Sequence, residues 1–250
     1  MPSGSGGAGR PRIVRADETA FGPVRTGNAF EEAVERILGA IKLGVIPRGE
    51  RLPPERELAT RLNVSRMTLR EALRSLQDAN YVETRRGRHG GTFVVYEPPR
   101  PRKRSRRDVA PEVAGSLADA LALRSVLEPG AAELAARRRC AAQEAEYLRS
   151  RLGETAVASL HGYRQADSRL HLAIAELSGS PSLVAAVADV RLRVNDLLDT
   201  MPLLPHNLAH SNRQHERIVR AVLAGDGATA RRQMEEHLAA TAALLRGFLG

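Results

Sequence analysis

The sequence holds one cysteine, two lysines, no tryptophan and few aromatic residues of any kind. Cys140 alone cannot close an intramolecular disulfide, so the fold must be held by packing, and a cytoplasmic protein is the simplest reading. Aromatics make up 3% of the chain against 42% hydrophobic residues overall, so its cores must be built from Ala, Leu, Val and Ile. At this alanine content that favours helices. No stretch approaches the ~18 consecutive apolar residues needed to cross a bilayer. The opening MPSGSGGAGRPR lacks the apolar segment of a secretory signal. No membrane partner is expected.

What the chain has in quantity is arginine; its only lysines are Lys42 and Lys103. The net charge of +9 is unevenly spread, with 22 Lys+Arg against 12 Asp+Glu in residues 1–107 and 16 against 17 in residues 108–250. Codon bias can also raise arginine content. The asymmetry is more telling than the total, because a basic part joined to a near-neutral one suggests a polyanion binder coupled to something else.

Residues 1–26 are rich in Gly, Ser, Pro and Arg without periodicity and read as a disordered tail. From Asn28 a helical period appears, with Phe30, Val34, Ile37, Leu38 and Ile41 on one face and Gly44 closing it. After the loop IPRGERL, Pro54 stands at a permitted first-turn position of ERELATRL, whose inward stripe is Leu58, Ala59 and Leu62. Asn63-Val64 makes a short turn, and Ser65 is a natural N-cap for a third helix that turns Leu69, Ala72, Leu73 and Leu76 inward. Tyr81–Arg86 and Thr92–Tyr96 are β-prone runs joined by the glycine-rich GRHGG.

That order of elements is a winged helix–turn–helix. EPPRPRKRSRRD cannot form a regular element and marks a linker. From about Val113 the pattern is helical, with breaks near Arg138–Ala142, His161–Gly162, Gly179–Pro181, Pro202–Pro205 and Gly225–Gly227. The expected fold class is therefore mainly α. Its parts are a disordered tail (1–26), a winged helix–turn–helix DNA-binding domain (27–97), a basic Pro/Arg linker (98–110) and an all-α bundle of about six helices (111–250).

In a helix–turn–helix the second helix enters the major groove, and its N-terminal residues meet base edges. Those positions are Ser65, Arg66, Thr68 and Arg70. Arginine matches the paired acceptors of guanine, so Arg66 and Arg70 are the candidates for base reading, with Ser65 and Thr68 for phosphate or a thymine methyl. Arg56 lies where the preceding helix crosses the backbone, and Arg85, Arg86 and Arg88 surround Gly87 at the wing tip. Two arginines four residues apart more often mark a solvated face. Here the order of elements, the basic hairpin and the charge split turn the reading toward DNA.

In the helical part, Asp167 and His171 are spaced i,i+4 and share a helix face, while His215 and His237 lie in the fifth and sixth helices. One carboxylate and three imidazoles could converge on a divalent ion (Zn, Ni, Mn or Fe) and leave positions open for a ligand. Spacing alone leaves that convergence open. His89, His161, His206 and His210 read as exposed or hydrogen-bonded histidines, Arg191 and Arg193 as a solvated face that could line the pocket, and Asp226 as a helix cap. Cys140, in an interhelix loop, is assigned no role.

GVIPRGERLPPERELATRLNVSRMTLREALRSL with YVETRRGRHGGTFV, over about residues 28–96, resembles the N-terminal signature of the GntR family of bacterial transcription regulators. The resemblance implies that Arg56, Arg66 and Arg70 occupy DNA-contacting positions and that Gly87 enters the minor groove. LALRSVLEPGAAELAARR, DSRLHLAIAELSGS and HERIVRAVLAGDGATARRQMEEHL, over about 113–245, resemble the FCD effector domain of the FadR subfamily. That implies metal ligation by Asp167, His171, His215 and His237, with a small carboxylate bound beside the metal. It also places Arg124, of the R-x-x-x-E motif, toward the ligand. The family's asparagine after SG is Ser180 here, which can cap a helix equally well.

The expectation is a ligand-responsive, sequence-specific transcription regulator, most simply a repressor, acting as a homodimer on a palindromic double-stranded operator. The alternatives are a metal-dependent hydrolase and a constitutive DNA-binding protein with a structural metal. Against the hydrolase, Glu216 beside His215 points about 100° away around the helix, and no other carboxylate is obviously placed as a base.

Overall fold

The structure is a computed structural model that describes residues 17, 29–88, 90–98, 111–160, 162–198 and 205–249. The expected disordered tail (apart from Asp17), the basic linker after residue 98, His89 and His161 lie outside the described residues, as does the side chain of His206. Among the described residues the chain forms nine helices and one two-stranded antiparallel sheet.

The N-terminal unit is α1 (Ala29–Lys42), α2 (Glu55–Leu62), α3 (Arg66–Asp78), β1 (Val82–Arg85) and β2 (Gly91–Val94). Helix α1 buries Ala33, Ile37, Ala40 and Ile41 most deeply, while Phe30, Val34 and Leu38 are only half covered, so its inward face is rotated from the expected stripe. Leu58, Ala59 and Leu62 of α2 and Leu69, Ala72, Leu73 and Leu76 of α3 are all buried, in the expected register. Pro54 sits one residue outside α2 with ψ 140°, at the cap rather than in the first turn. The Ser65 side chain accepts the Thr68 amide at 3.0 Å and so starts α3. The strands pair Val82 with Val94 and Arg85 with Gly91, and are shorter than the runs read from sequence. Residues 50–52 add a third edge, with Val94 N–H donating to Glu50 O and Leu52 N–H to Thr92 O. The inward valines of the hairpin, Val82 and Val94, close the core beneath α1 and α3.

Six helices follow: α4 (Pro111–Arg137), α5 (Ala142–Val157), α6 (Tyr163–Leu177), α7 (Pro181–Leu198), α8 (Pro205–Leu223) and α9 (Gly227–Leu249). Their ends follow from local chemistry. Ser180 Oγ accepts the Leu183 amide at 3.3 Å to open α7, and Asp226 Oδ1 accepts the Thr229 amide at 2.9 Å to open α9. Helices α4, α5, α6, α8 and α9 share a core of small and aliphatic residues: Ala132, Ala135, Leu148, Leu170, Ile174, Val222 and Met234. Alanines on α4 bring its neighbours close, and the charged site described below is enclosed beside this core.

The two units meet at the C-terminal end of α1. Leu43 is buried among Ala131, Leu172, Ala175, Val184 and Val187 of the bundle rather than in the N-terminal core. Gly44, at φ +70°, turns the chain there, in a backbone conformation that glycine adopts without strain. Gln165 Nε2 donates to the carbonyls of Ile41 (3.2 Å) and Lys42 (3.4 Å), which lie in the last turn of α1 where helix carbonyls lack intrahelical partners. Lys42 Nζ reaches Asp196 Oδ1 at 2.9 Å.

Candidate DNA-reading face and metal centre

Ser65, Arg66 and Arg70 are exposed along one side of α3, and Thr68 is half-buried, with its hydroxyl 2.8 Å from that of Ser65. Arg56 of α2 and Ser65 and Arg66 at the start of α3 line one open cleft with Asn63 between them. Arg70 is not free. Its Nε donates to Glu55 Oε2 at 2.8 Å, an ion pair between α3 and the first turn of α2. At the far end of the hairpin Arg86, Gly87 and Arg88 are exposed, and Gly87 holds φ +104°. Arg85 turns away from the tip, pairing with Glu83 and lying 4.4 Å over the Phe93 ring. The apolar face of α3 is thus spent on the core, and its cationic face, with the wing, is left outward.

The second site is enclosed in the bundle. Helix α6 brings Asp167 and His171, α8 brings His215 and α9 brings His237, and one ligand atom of each lies within 4.8 Å of all the others. His215 Nε2 is central, 3.4 Å from His171 Nε2, 3.3 Å from His237 Nε2 and 3.2 Å from Asp167 Oδ1. Bonds of about 2.0–2.2 Å to a shared ion would set neighbouring donors roughly 3.0–3.6 Å apart. The donor set and its spacing fit a divalent metal. The three imidazoles are buried.

The outer contacts aim these rings. Glu128 of α4, itself buried, places Oε2 2.5 Å from His171 Nδ1. Burial raises the Glu128 carboxyl, but Arg124, His171 and Arg191 outweigh it and hold the group well below the usual range. An ionised Glu128 accepts the Nδ1 proton and leaves the Nε2 lone pair facing the cluster. Gln214 Oε1, 3.1 Å from His237 Nδ1, does the same for that ring. His215 Nδ1 is buried with no hydrogen-bond partner among the described residues. Burial and then Arg191 bring His171 down to about 4, against the pull of Glu128 and Asp167. Burial and then the two neighbouring imidazoles lower His237 well below its ordinary value. Asp167 is raised by burial but driven well below its usual range by Arg191 first, then His171 and His215. His171 and His237 are therefore neutral and Asp167 is ionised, the states in which these groups bind metal.

Two guanidiniums complete the site. Arg124 donates from Nε to Glu128 Oε1 at 2.8 Å, and its Nη1 is buried without a hydrogen-bond partner among the described residues. Arg191, expected on a solvated face, is instead 2% exposed. Its Nη2 pairs with Asp167 Oδ2, and its Nη1 lies 3.4 Å from Glu128 Oε1. A buried guanidinium requires ionised partners, and the two carboxylates supply them. Arg193, two residues on and on the opposite side of α7, is exposed as expected, and so is His210. Ser168 Oγ accepts Asn195 Nδ2 at 2.9 Å and fixes the neighbouring wall. Glu128, Asn195 and Gln214 were not singled out from sequence. Glu128 was the last letter of the R-x-x-x-E motif, the only signal that could have found it. Glu216 is exposed, and Cys140 is half-buried in the α4–α5 loop, where burial and then Glu144 raise its thiol.

Comparison with known proteins agrees with this architecture. The profile of bacterial regulatory proteins, gntR family, matches residues 29–94, and that of the FCD domain matches residues 119–240. RmpR of Mycobacterium gastri, described as an HTH-type transcriptional regulator, is 35% identical over 219 residues, covering 82% of this chain and 76% of its own. An Escherichia coli protein described as an L-lactate dehydrogenase operon regulator is 31% identical, with 83% of each chain covered. Among solved structures, E. coli McbR/YncC is similar in fold, with a TM-score of 0.52 over 89% of this chain and 99% of its own at 21% identity.

Proposed function

This chain belongs to the GntR family of DNA-binding transcription regulators, its winged helix–turn–helix followed by an FCD domain, and from that premise we propose that it releases or engages its operator in answer to a small carboxylate bound beside a metal ion. Its domains and relatives are those of regulators and not of enzymes.

The observation that carries the reading is the unpartnered Nη1 of Arg124 beside four converging metal-type donors. Asp167, His171, His215 and His237 would hold the ion. When bound, it acts as a Lewis acid with open positions for a carboxylate oxygen. Charge supports an anionic ligand. Arg124 and Arg191 are balanced by Asp167 and Glu128, and His171 and His237 are neutral, so a divalent ion adds about +2 that these groups do not offset. A carboxylate offsets that excess and gives the Arg124 fork its missing acceptor. The relative described as a regulator of an L-lactate dehydrogenase operon points to hydroxycarboxylic acids as the first to try.

Response to the ligand runs through α6. Asp167 and His171 lie on one face, and Gln165, Arg169 and Leu172 lie about half a turn round it, against the end of α1. A ligand that shifts α6 alters the seat of Leu43 and with it the winged helix. Only an unequal affinity for the two arrangements can move the equilibrium. On the DNA, Arg66 and Arg70 read bases, Ser65, Thr68 and Arg56 contact the backbone, and Arg86 and Gly87 enter the minor groove. Two copies bind the halves of a palindrome, most simply as a repressor in the bacterial cytoplasm.

The test is operator binding by gel shift with metal-loaded protein and a panel of hydroxy- and dicarboxylic acids, with metal content measured after purification without chelator. A change in affinity with one acid, absent in Arg124→Ala, supports the reading. A metal-free preparation that keeps its response, or a metal-loaded one with no response to any acid, overturns it.

A further inference from the structure

We infer that Met67 reads the C5 methyl group of a thymine in the major groove, close to the guanine read by Arg66. The inference rests on the reading above that α3 lies in that groove, and it adds an apolar contact to the hydrogen-bonding ones.

Met67 is 77% exposed, and among the described residues it is the one large apolar side chain that the N-terminal unit leaves exposed. The exposed residues around it, Arg66, Arg70, Glu71 and Arg74, are all charged. A single exposed methionine means little by itself. Its position gives it meaning. The buried residues of α3 are Leu69, Ala72, Leu73 and Leu76. At about 100° per residue, Met67 stands about 170° round the helix from the centre of that face, against about 70° for Arg66 and about 110° for Arg70. Of the three it points most directly away from the core. It also belongs to the first turn of α3, and the N-terminal residues of a recognition helix are the ones that reach base edges. The fold itself does not call for methionine here. Met67 lies outside the core of its unit, and the Ser65 cap starts the helix without it.

The groove selects the ligand. Base edges there carry hydrogen-bond donors and acceptors, and the thymine methyl is the apolar group among them. A polar edge pressed against the thioether would give up water with nothing in exchange, whereas a methyl gives up none. Methionine is unbranched and polarisable, so it can follow the methyl without forcing the helix to shift. Ser65 and Thr68 could meet a thymine methyl by residue type, but they are turned on each other. Their hydroxyls are 2.8 Å apart, and Ser65 Oγ accepts the Thr68 amide at 3.0 Å. Consecutive Cα atoms are about 3.8 Å apart, close to the rise of about 3.4 Å between base pairs, so the thymine falls within about two base pairs of the guanine.

The experiment selects duplexes from a random DNA pool with the full chain, then replaces each thymine of the selected sequence by deoxyuridine, which lacks only the methyl. Fluorescence anisotropy measures wild type, Met67→Ala, Met67→Leu and Arg66→Ala. One deoxyuridine near the guanine of a half-site is expected to weaken wild type about fourfold, the weight of one apolar carbon returned to water. Met67→Ala is expected to bind the thymine and deoxyuridine duplexes equally, and Met67→Leu to keep the difference. The circular dichroism of Met67→Ala should match wild type, because the side chain is exposed and alanine favours helix. A pool in which no sequence is enriched, or a selected duplex that Arg66→Ala binds as wild type does, overturns the reading that α3 lies in the groove. A duplex that depends on Arg66 but tolerates deoxyuridine at every thymine overturns the role of Met67 and leaves that reading standing. So does a deoxyuridine loss that Met67→Ala shows in full, which assigns the methyl to another side chain.

Discussion

Arg191 pairs through Nη2 with Asp167 Oδ2, while Asp167 Oδ1 faces His215 Nε2 at 3.2 Å. One carboxylate thus has a structural oxygen and a ligand oxygen, and the arginine decides which is which. Replacing Arg191 with Met leaves Asp167 and Glu128 with less of the charge that keeps them ionised in a buried place. The expected losses are about 3–5 kcal/mol of stability and roughly 10–100-fold in metal affinity. Denaturant melts and metal titration of the variant check both, and retention of wild-type metal affinity would show that Arg191 does not hold Asp167 for the ion.

The metal-stripped protein should lose stability in acid. His171 is brought to about 4 in the folded chain from an ordinary value of 6.5, by burial first and Arg191 second. Between those values the unfolded chain binds the proton and the folded one does not, so unfolding is favoured progressively as pH falls. Above the upper value neither state gains. Thermal melts of stripped protein should therefore be level above pH 6.5 and fall toward pH 4, and His171→Gln should flatten part of the slope. An unchanged slope in that variant would assign the acid sensitivity elsewhere.

On the DNA side, Arg66→Ala should cost about 1–3 kcal/mol of operator affinity and relax the base preference at one position of each half-site. Arg70 is held by Glu55 in a 2.8 Å ion pair, which the base-reading role proposed for Arg70 requires to open. Both side chains are largely exposed, so the pair itself is worth at most about 1 kcal/mol. Glu55→Gln should accordingly tighten binding by up to about fivefold and steepen its salt dependence. Fluorescence anisotropy across a salt series measures both variants.

Leu43→Ala with Gln165→Ala should separate binding from response. Leu43 is buried in the bundle and Gln165 holds the end of α1, but neither touches the metal-type donors or the outward face of α3. The double variant should bind metal, acid and operator near wild-type levels, while the acid no longer changes operator affinity. An intact response would show that the signal does not pass through this contact.

Much of the chain was legible before it was folded, because periodicity and capping are local. The buried stripes of α2 and α3, the Ser65 cap, the glycine-rich hairpin and the six C-terminal helices follow from side-chain spacing and from where serine, glycine and proline fall. The stripe of α1 was misjudged because two surfaces claim that helix, the N-terminal core and the bundle. Arg191 was misjudged for a related reason. A helix pattern does not say whether an arginine meets solvent or a carboxylate brought in from another helix.

By itself, the sequence determined that this is a basic winged helix joined to a helical bundle, since those facts reside in runs of a dozen residues. It also put Asp167 and His171 on one face, through the four-residue rise of a single helix. Only the tertiary structure decided that His215 and His237 arrive at the same point, that Glu128 aims one ring and anchors two arginines, and that Arg124 keeps a buried donor unused. These are relations between residues tens of positions apart. They are set by how α4, α6, α7, α8 and α9 pack, which no local pattern encodes.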